Sequence, residues 1–229
     1  MALNFLQLFQ QVAILLDEDV TNVTDVSTVT EIFHKTILQC INEAVEDVYH
    51  FNTGWRWRDV TTTINIISGT QDYTLSASID PDNIKVVQFG STPLNFVTQE
   101  QIDLDGGTIF GLNDLGIPNF YTIFNNVFRL PNVPIQSGVV TLRYQSNPPV
   151  LVNNTDTTGI PTKFDNTIVY LAVANVKSLQ GKQDATMWFK KYQEKIGMFS
   201  AENKKFYQRV DSFTLGSEWF INETFPFGG

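Results

Sequence analysis

Hydrophobic side chains follow helical spacing at both ends of the chain and alternate with polar ones in its middle. Near the N-terminus, apolar residues recur every three or four positions over about Asn4–Leu16 and again from Phe33 to Phe51. This spacing predicts two helices. The segment Thr28–Glu31 has the Thr-x-x-Glu form of a capping box, in which side chains satisfy the first free backbone N–H groups of a helix. We therefore expect the second helix to begin at this box.

Two more helices are predicted after Pro161. Apolar residues cover all sides of the first of these over Ile168–Ala174, which is typical of a deeply buried helix. Gly181 is suited to end that helix, and Asp184 is placed to cap the next one. Because so short a connection makes neighbouring helices antiparallel, we expect a helical hairpin. On its second helix one face carries large apolar residues and the rest carries lysines: Trp188, Tyr192, Ile196 and Phe199 against Lys190, Lys191 and Lys195.

The middle of the chain has the period of two residues that is typical of strands. Val60, Thr62, Ile64 and Ile66 alternate with polar neighbours. Further short strands are expected at Asp72–Leu75, Ile84–Phe89, Leu94–Thr98, Asn119–Phe124, Val127–Leu130 and Val139–Tyr144. Asn125-Asn126 is expected to form a hairpin turn, because Asn tolerates the positive φ that a tight primed turn requires. Within the ambiguous stretch 99–118, Glu100–Leu104 has room for one helical turn.

These elements predict an α+β fold in which an inserted β domain separates the two halves of a helical bundle. The strands are linked by Gly, Pro and Asn turns without long helices between them, which favours antiparallel pairing in a sandwich or barrel. The expected parts are residues 1–58 and 151–210 for the bundle, 59–150 for the β domain and 211–229 for an extended C-terminal arm.

Composition and charge indicate an ordinary globular chain. It has 229 residues, 42% of them hydrophobic, and a net charge of −9. Residues 166–209 contain eight basic and three acidic side chains, a net of +5, so the rest of the chain carries −14. The lysines of this basic stretch are either a solvated helix face or a surface that packs against an acidic neighbouring subunit. The first residues have neither the basic start of a secretion signal nor the length to span a membrane, and no membrane association is expected.

The chain contains few residues suited to catalysis. His34, Cys40 and His50 share the second helix, but at about 100° per residue they point to different faces and cannot form a metal site or a nucleophile–base pair there. The acidic pairs Asp80/Asp82 and Asp103/Asp105 lie in sequences typical of turns. We therefore expect no catalytic residue, no metal site and no cofactor.

Aromatic residues mark two further segments. Trp55 and Trp57 flank Arg56 between the helices and the strands, where they either pack the seam or form an exposed platform for a sugar or base. Five large aromatics follow the last helix, either docked on their own domain or ordered on a partner: Phe213, Trp219, Phe220, Phe225 and Phe227.

Several of these segments resemble the head-to-tail adaptor proteins of podovirus-type phages, the family that includes head completion and tail tubular protein A-like proteins. The resemblance covers about Phe33–Phe206. It rests on Thr53-Gly54-Trp55-Arg56-Trp57, Gly69-Thr70-Gln71-Asp72-Tyr73-Thr74-Leu75, Phe128-Arg129-Leu130-Pro131, Leu142-Arg143-Tyr144 with Pro148-Pro149, Ile160-Pro161-Thr162-Lys163-Phe164, and the stretch from Gly181 to Tyr192.

The resemblance implies a structural virion protein at the head–tail junction, assembled in the host cytoplasm. Such proteins form a ring, commonly of twelve copies, between the portal and the tail nozzle or next tail ring, and DNA passes through the lumen. An acidic chain suits a conduit that must not hold phosphates, so no specific DNA binding is expected. The arm aromatics are a hypothesis for portal docking that rests on composition alone, and Lys190, Lys191 and Lys195 are the expected contact between subunits.

Two other classes of protein are considered. A carbohydrate- or receptor-binding tail module would use exposed Trp55 and Trp57. A hydrolase would need a working carboxylate pair, drawn from Asp80, Asp82, Asp103 and Asp105.

Overall fold

The structure, a computed structural model, describes residues 2–20, 22–52, 54–76, 79–105 and 114–214, with the side chains of residue 105 and of 205–214 left out. The described chain divides into two compact units. One comprises the residues up to Trp55 together with those from Pro148 onward, and the other comprises Arg56–Asn147.

The described residues form five α-helices. Their bounds are α1 Phe5–Leu15, α2 Ile32–His50, α3 Gln99–Asp105, α4 Asp165–Leu179 and α5 Ala185–Thr214. Four of these belong to the first unit, and α3 belongs to the second. None of the helices in the described ranges is long and apolar enough to cross a membrane.

The capping box lies at α1 and not at α2. The Asn4 side chain accepts from the Gln7 N–H (2.9 Å), and the Gln7 side chain accepts in return from the Asn4 N–H (3.1 Å). The box predicted at Thr28–Glu31 is wrong: α2 begins at Ile32 without a side-chain cap. Asp25 instead caps the short 3₁₀ turn Val26–Thr28, and the Thr28 hydroxyl donates to the Asp25 carbonyl (2.9 Å). Thr28 therefore belongs to that turn, three residues before Glu31, the N-cap position of α2.

Helix α4 is the buried centre of the first unit, as its apolar sequence predicts. It packs against α1, α2 and α5. Its side chains between Ile168 and Ala174 are all buried except Tyr170, which is half-buried. The predicted stop at Gly181 is also confirmed, because Gly181 has φ +69°. The N–H groups of Lys182 and Gly181 close the helix by donating to the carbonyls of Lys177 and Ser178, both at 2.9 Å.

The described part of the second unit contains ten strands. They are β1 Asp59–Ile66, β2 Asp72–Thr74, β3 Ile84–Phe89, β4 Thr92–Pro93, β5 Asn95–Phe96, β6 Leu115–Gly116, β7 Phe120–Phe124, β8 Val127–Arg129, β9 Val133–Pro134 and β10 Gly138–Gln145. One sheet has the order β1-β10-β3-β4, a second has the order β2-β8-β7-β5, and β6 pairs with β9.

Both larger sheets contribute to one hydrophobic core, as in a sandwich, and the described strands do not close into a barrel. Its buried members include Ile66 and Leu142 from the first sheet and Tyr121 and Phe128 from the second. The expectation of purely antiparallel pairing is wrong for two short pairs, because β5 runs parallel to β7 and β6 runs parallel to β9. Helix α3 lies in the crossover that a parallel connection from β5 to β7 requires.

The hairpin predicted at Asn125-Asn126 is confirmed. These two residues have φ of 50° and 60°, and β7 pairs with β8 on either side of them. Two successive positive φ values are the geometry whose twist matches that of the flanking strands, which explains why the turn uses asparagines.

Candidate assembly surfaces

His34 and Cys40 of α2 are buried, whereas His50 is exposed. The His34 side chain is buried edge-on against the Phe9 ring, 5.5 Å between centroids, and its Nδ1 lies 3.2 Å from Glu31. Burial, and secondarily the charge of Glu43, raises the pKa of the Cys40 thiol to about 11. A thiol with this pKa is protonated near neutral pH and is a poor nucleophile. Across the described ranges, no group of three or more His, Cys, Asp and Glu side chains is placed to hold a metal ion.

The acidic pairs serve local structure. Asp80 caps the 3₁₀ turn Pro81–Asn83, accepting from the Asp82 N–H and from the Asn83 amide, both at 3.0 Å. Asp103 lies within α3 and accepts from the Gln99 amide (2.8 Å). The side chain of Asp105 lies outside the described residues. These contacts give the described carboxylates capping and helix-stabilising roles.

A groove of about 630 Å³ lies in the second unit. Its walls include Val86, Pro93, Phe96 and Tyr121, and Phe96 is 55% exposed. The charged lining residues are Asp82 and Lys85, and Lys85 already pairs with Asp59 (2.7 Å). The lining holds no His, Cys or Ser, and it combines apolar side chains with polar ones that include Asn95 and Tyr121.

Trp55 is fully buried and organises an aromatic stack in the first unit. Its ring stacks on Phe199 (4.3 Å between centroids) and on Phe51 (6.4 Å), and Phe199 stacks in turn on Phe164 (3.9 Å). The Trp55 indole N–H donates to the Val48 carbonyl (2.9 Å). With 0% of its surface exposed, Trp55 offers no face on which a sugar or base could stack.

Trp57 lies in the other unit and is half-buried. It sits in the 3₁₀ turn Arg56–Arg58 that leads into β1. The chain therefore passes from one unit to the other between Trp55 and Trp57. Because Trp55 is buried and Trp57 is half-buried, the two do not form the exposed pair that a glycan platform needs.

The three lysines predicted as a contact surface lie on α5 away from its buried side. Lys190 and Lys191 are exposed, and Lys195 is half-buried. The Lys191 ammonium lies 4.0 Å from the centroid of the Trp188 ring, a cation–π contact that fixes its position. The buried side of α5 consists of the four residues predicted from the sequence, Trp188, Tyr192, Ile196 and Phe199.

Two other lysines of the same unit have acidic partners. Lys163 pairs with Glu202 and Lys177 pairs with Asp184. Among the described residues, Lys190, Lys191 and Lys195 form no ion pair. We call these three residues the basic face.

An acidic stripe on α2 was not identified from the sequence. Glu43, Glu46 and Asp47 are all exposed. Desolvation by neighbouring protein atoms, followed by the charges of Glu46 and Glu43, raises the pKa of the Asp47 carboxyl, and His50 acts in the opposite direction. The sequence contains a pattern that indicates this stripe: Glu46 and Asp47 follow Glu43 by three and four residues, and residues at these spacings share one side of a helix. We call these three residues the acidic stripe.

The C-terminal aromatics lie almost entirely outside the described residues. Trp219, Phe220, Phe225 and Phe227 follow the last described position, and only the backbone of Phe213 is described. Phe213 belongs to α5, which continues to Thr214, so the first four residues predicted for an extended arm are helical.

Comparison with known proteins places most of the chain in one family. A family model described as SU10 adaptor protein matches residues 3–212, a range that contains nearly all of both units. No curated protein gives a significant match to the chain.

Proposed function

Because the chain belongs to the SU10 adaptor protein family, a family of phage structural proteins of head–tail adaptor type, we propose that it forms a ring between the portal and the tail. The ring is a homo-oligomer of twelve copies, its other neighbour is the tail nozzle or next tail ring, and it assembles in the host cytoplasm. The observation that carries this proposal is the family match over residues 3–212. The proposal assigns the chain no catalytic activity.

The surfaces of the first unit support a role in assembly. It presents three lysines and three carboxylates that are exposed or half-buried and have no opposite-charge side-chain partner among the described residues of their own chain. Charge-complementary surfaces of this kind steer protein partners and set their register.

The ring encloses a lumen through which DNA passes without specific binding. A net charge of −9 favours rapid passage, since a lumen that attracted phosphates along its length would retain the genome. Passage without retention predicts that the purified ring binds duplex DNA weakly at physiological salt. Tight, salt-sensitive DNA binding would contradict this part of the proposal.

The C-terminal arm holds the portal in this proposal. Its aromatics, Trp219, Phe220, Phe225 and Phe227, suit an extended segment that orders on a partner, because each supplies a large apolar area. Phe213, at the end of α5, adjoins this segment. The last described helical residue, Thr214, gives the natural position for separating arm from body.

The experiment is native mass spectrometry of the chain mixed with the portal protein of the same phage. Three samples are compared: the full chain, a truncation after Thr214, and a full-length control in which Trp219, Phe220, Phe225 and Phe227 are replaced by Ser. Rings on the portal with the full chain alone would support both the adaptor and the arm. Rings with all three would retain the adaptor and refute the arm as the portal contact. Rings with none would refute the adaptor.

A further inference from the structure

The acidic stripe is an unfavourable arrangement for an isolated subunit. Glu43, Glu46 and Asp47 lie within two turns at the C-terminal end of α2, where negative charge opposes the helix dipole. The described residues supply no lysine or arginine that pairs with any of them. Gln39 donates to Glu43 (2.8 Å), which is a neutral contact and leaves the three charges uncompensated. A cation from outside the subunit would relieve their repulsion.

The basic face of the same unit is the complementary surface. At about 100° per residue, Lys190, Lys191 and Lys195 cover roughly 140° of α5. Glu194 lies between them, so the local net charge is +2. Lys190 to Lys195 extends about 7.5 Å along α5, and Glu43 to Asp47 extends about 6 Å along α2, so the two surfaces match in length.

The two surfaces form no ion pair with each other within one subunit, as far as the structure describes it. Tyr192 lies on the buried side of α5. Lys191 is rotated by about 100° from Tyr192. Its ammonium lies over Trp188 and 5.9 Å from the ring of Tyr170 on α4. Lys191 therefore contacts aromatic rings of α5 and α4, and among the described residues neither it nor Lys190 or Lys195 forms an ion pair with the acidic stripe.

Exposed methionines flank the lysines. Met187 and Met198 are 46% and 59% exposed, and they lie on the same side of α5 because eleven residues complete three turns. Methionine adapts its shape to a partner surface, so these side chains add apolar contact next to the charges.

Resting on the ring proposed above, we infer that the basic face of each subunit binds the acidic stripe of the next copy of the chain. The contact is heterologous, since each copy supplies a different helix to each neighbour. Contacts of this type close into a ring when the rotation between copies allows it.

Charge-reversed variants test this pairing. One variant carries Lys190→Glu, Lys191→Glu and Lys195→Glu, so both of its surfaces are acidic. A second carries Glu43→Lys, Glu46→Lys and Asp47→Lys, so both of its surfaces are basic. A third combines all six changes and restores complementarity with the signs exchanged. The control reverses the exposed acids Asp82 and Glu100 of the second unit to Lys, and far-UV circular dichroism confirms that each variant is folded.

Assembly is measured by native mass spectrometry and sedimentation, with and without the portal protein. We expect each triple variant alone to assemble only at a protein concentration at least about tenfold higher than the unaltered chain needs. A change of this size corresponds to the loss of at least one charge-pair contact at each interface. Mixing the two triple variants should restore rings in which they alternate in equal number. The variant with all six changes should assemble with itself but not with the unaltered chain, and the control should assemble normally.

The outcomes separate this inference from the proposed ring. If the unaltered chain forms rings and both triple variants do so at the same concentration, the pairing is refuted and the ring stands. If the triple variants fail and their mixture also fails, the two surfaces do not contact each other. If the unaltered chain forms no ring with or without the portal, the proposed function and the inference are both refuted.

Discussion

Replacing Trp55 by Ala should strongly destabilise the helical unit. The indole is fully buried, stacks on Phe199 and donates to the Val48 carbonyl. A buried Trp removes about 150–250 Å² from water, which at about 25 cal/mol per Å² corresponds to about 4–6 kcal/mol. Realistic unfolded chains lower this figure by about 10–40%, and the lost hydrogen bond adds about 1 kcal/mol. We therefore expect a loss of about 4 kcal/mol in the free energy of unfolding, within the usual range for buried Trp→Ala changes.

The assay is thermal and urea unfolding followed by circular dichroism at 222 nm, a signal that the helices dominate. A loss of about 4 kcal/mol should lower the midpoint temperature by about 8–16 °C for a chain of 229 residues. Phe189→Ala is the matched control, because Phe189 is an aromatic of α5 that is 43% exposed, and it should cost about 1 kcal/mol or less. Equal effects of the two substitutions would refute the assignment of Trp55 to the core.

Three more local features give predictions. Gly159 has φ +71°, and a Cβ there would lie 2.9 Å from the Tyr49 hydroxyl. Gly159→Ala should therefore lower the free energy of unfolding in urea by about 1–3 kcal/mol. Gly197→Ala, on α5 where a Cβ meets open space, should raise the free energy of unfolding by about 0.5–1 kcal/mol. Burial raises the pKa of the Asp165 carboxyl, so the folded state binds its proton more tightly than the unfolded state and stability falls as pH rises from 3.8 through the raised pKa. Asp165→Asn should reduce that fall, and equal pH profiles would contradict this. Asn126→Val should destabilise the hairpin by about 1–2 kcal/mol because Asn126 has φ 60°, while Asn126→Gly should not, as differential scanning calorimetry can show.

Periodicity predicted the elements whose stability comes from a continuous apolar face or a specific turn. The buried sequence of Ile168–Ala174 identified α4, and Asn125-Asn126 identified the hairpin, because in both cases the residues that carry the signal are neighbours in sequence. The strand predicted at Ile84–Phe89 has the same bounds in the structure for the same reason.

Features that depend on competition or on distant partners were missed. The Thr28–Glu31 box failed because Thr28 ends a separate 3₁₀ turn capped by Asp25, and α2 begins only at Ile32. The motif alone does not reveal which of two overlapping turns forms. The parallel pairing of β5 with β7 depends on the crossover segment between them. The sequence of such short strands does not indicate whether they pair parallel or antiparallel. The acidic stripe belongs to one face of α2, and the net charge of a sequence segment does not reveal how its charges are distributed among helix faces.

The most direct test of the adaptor ring is cryo-electron microscopy of the virion neck. We predict that the map contains a closed ring of twelve copies of this chain between portal and tail, with its helical unit in contact with neighbouring copies and a central channel for DNA. A neck in which the portal contacts the tail directly, or in which this chain occupies a peripheral tail position without forming a ring, would contradict the account.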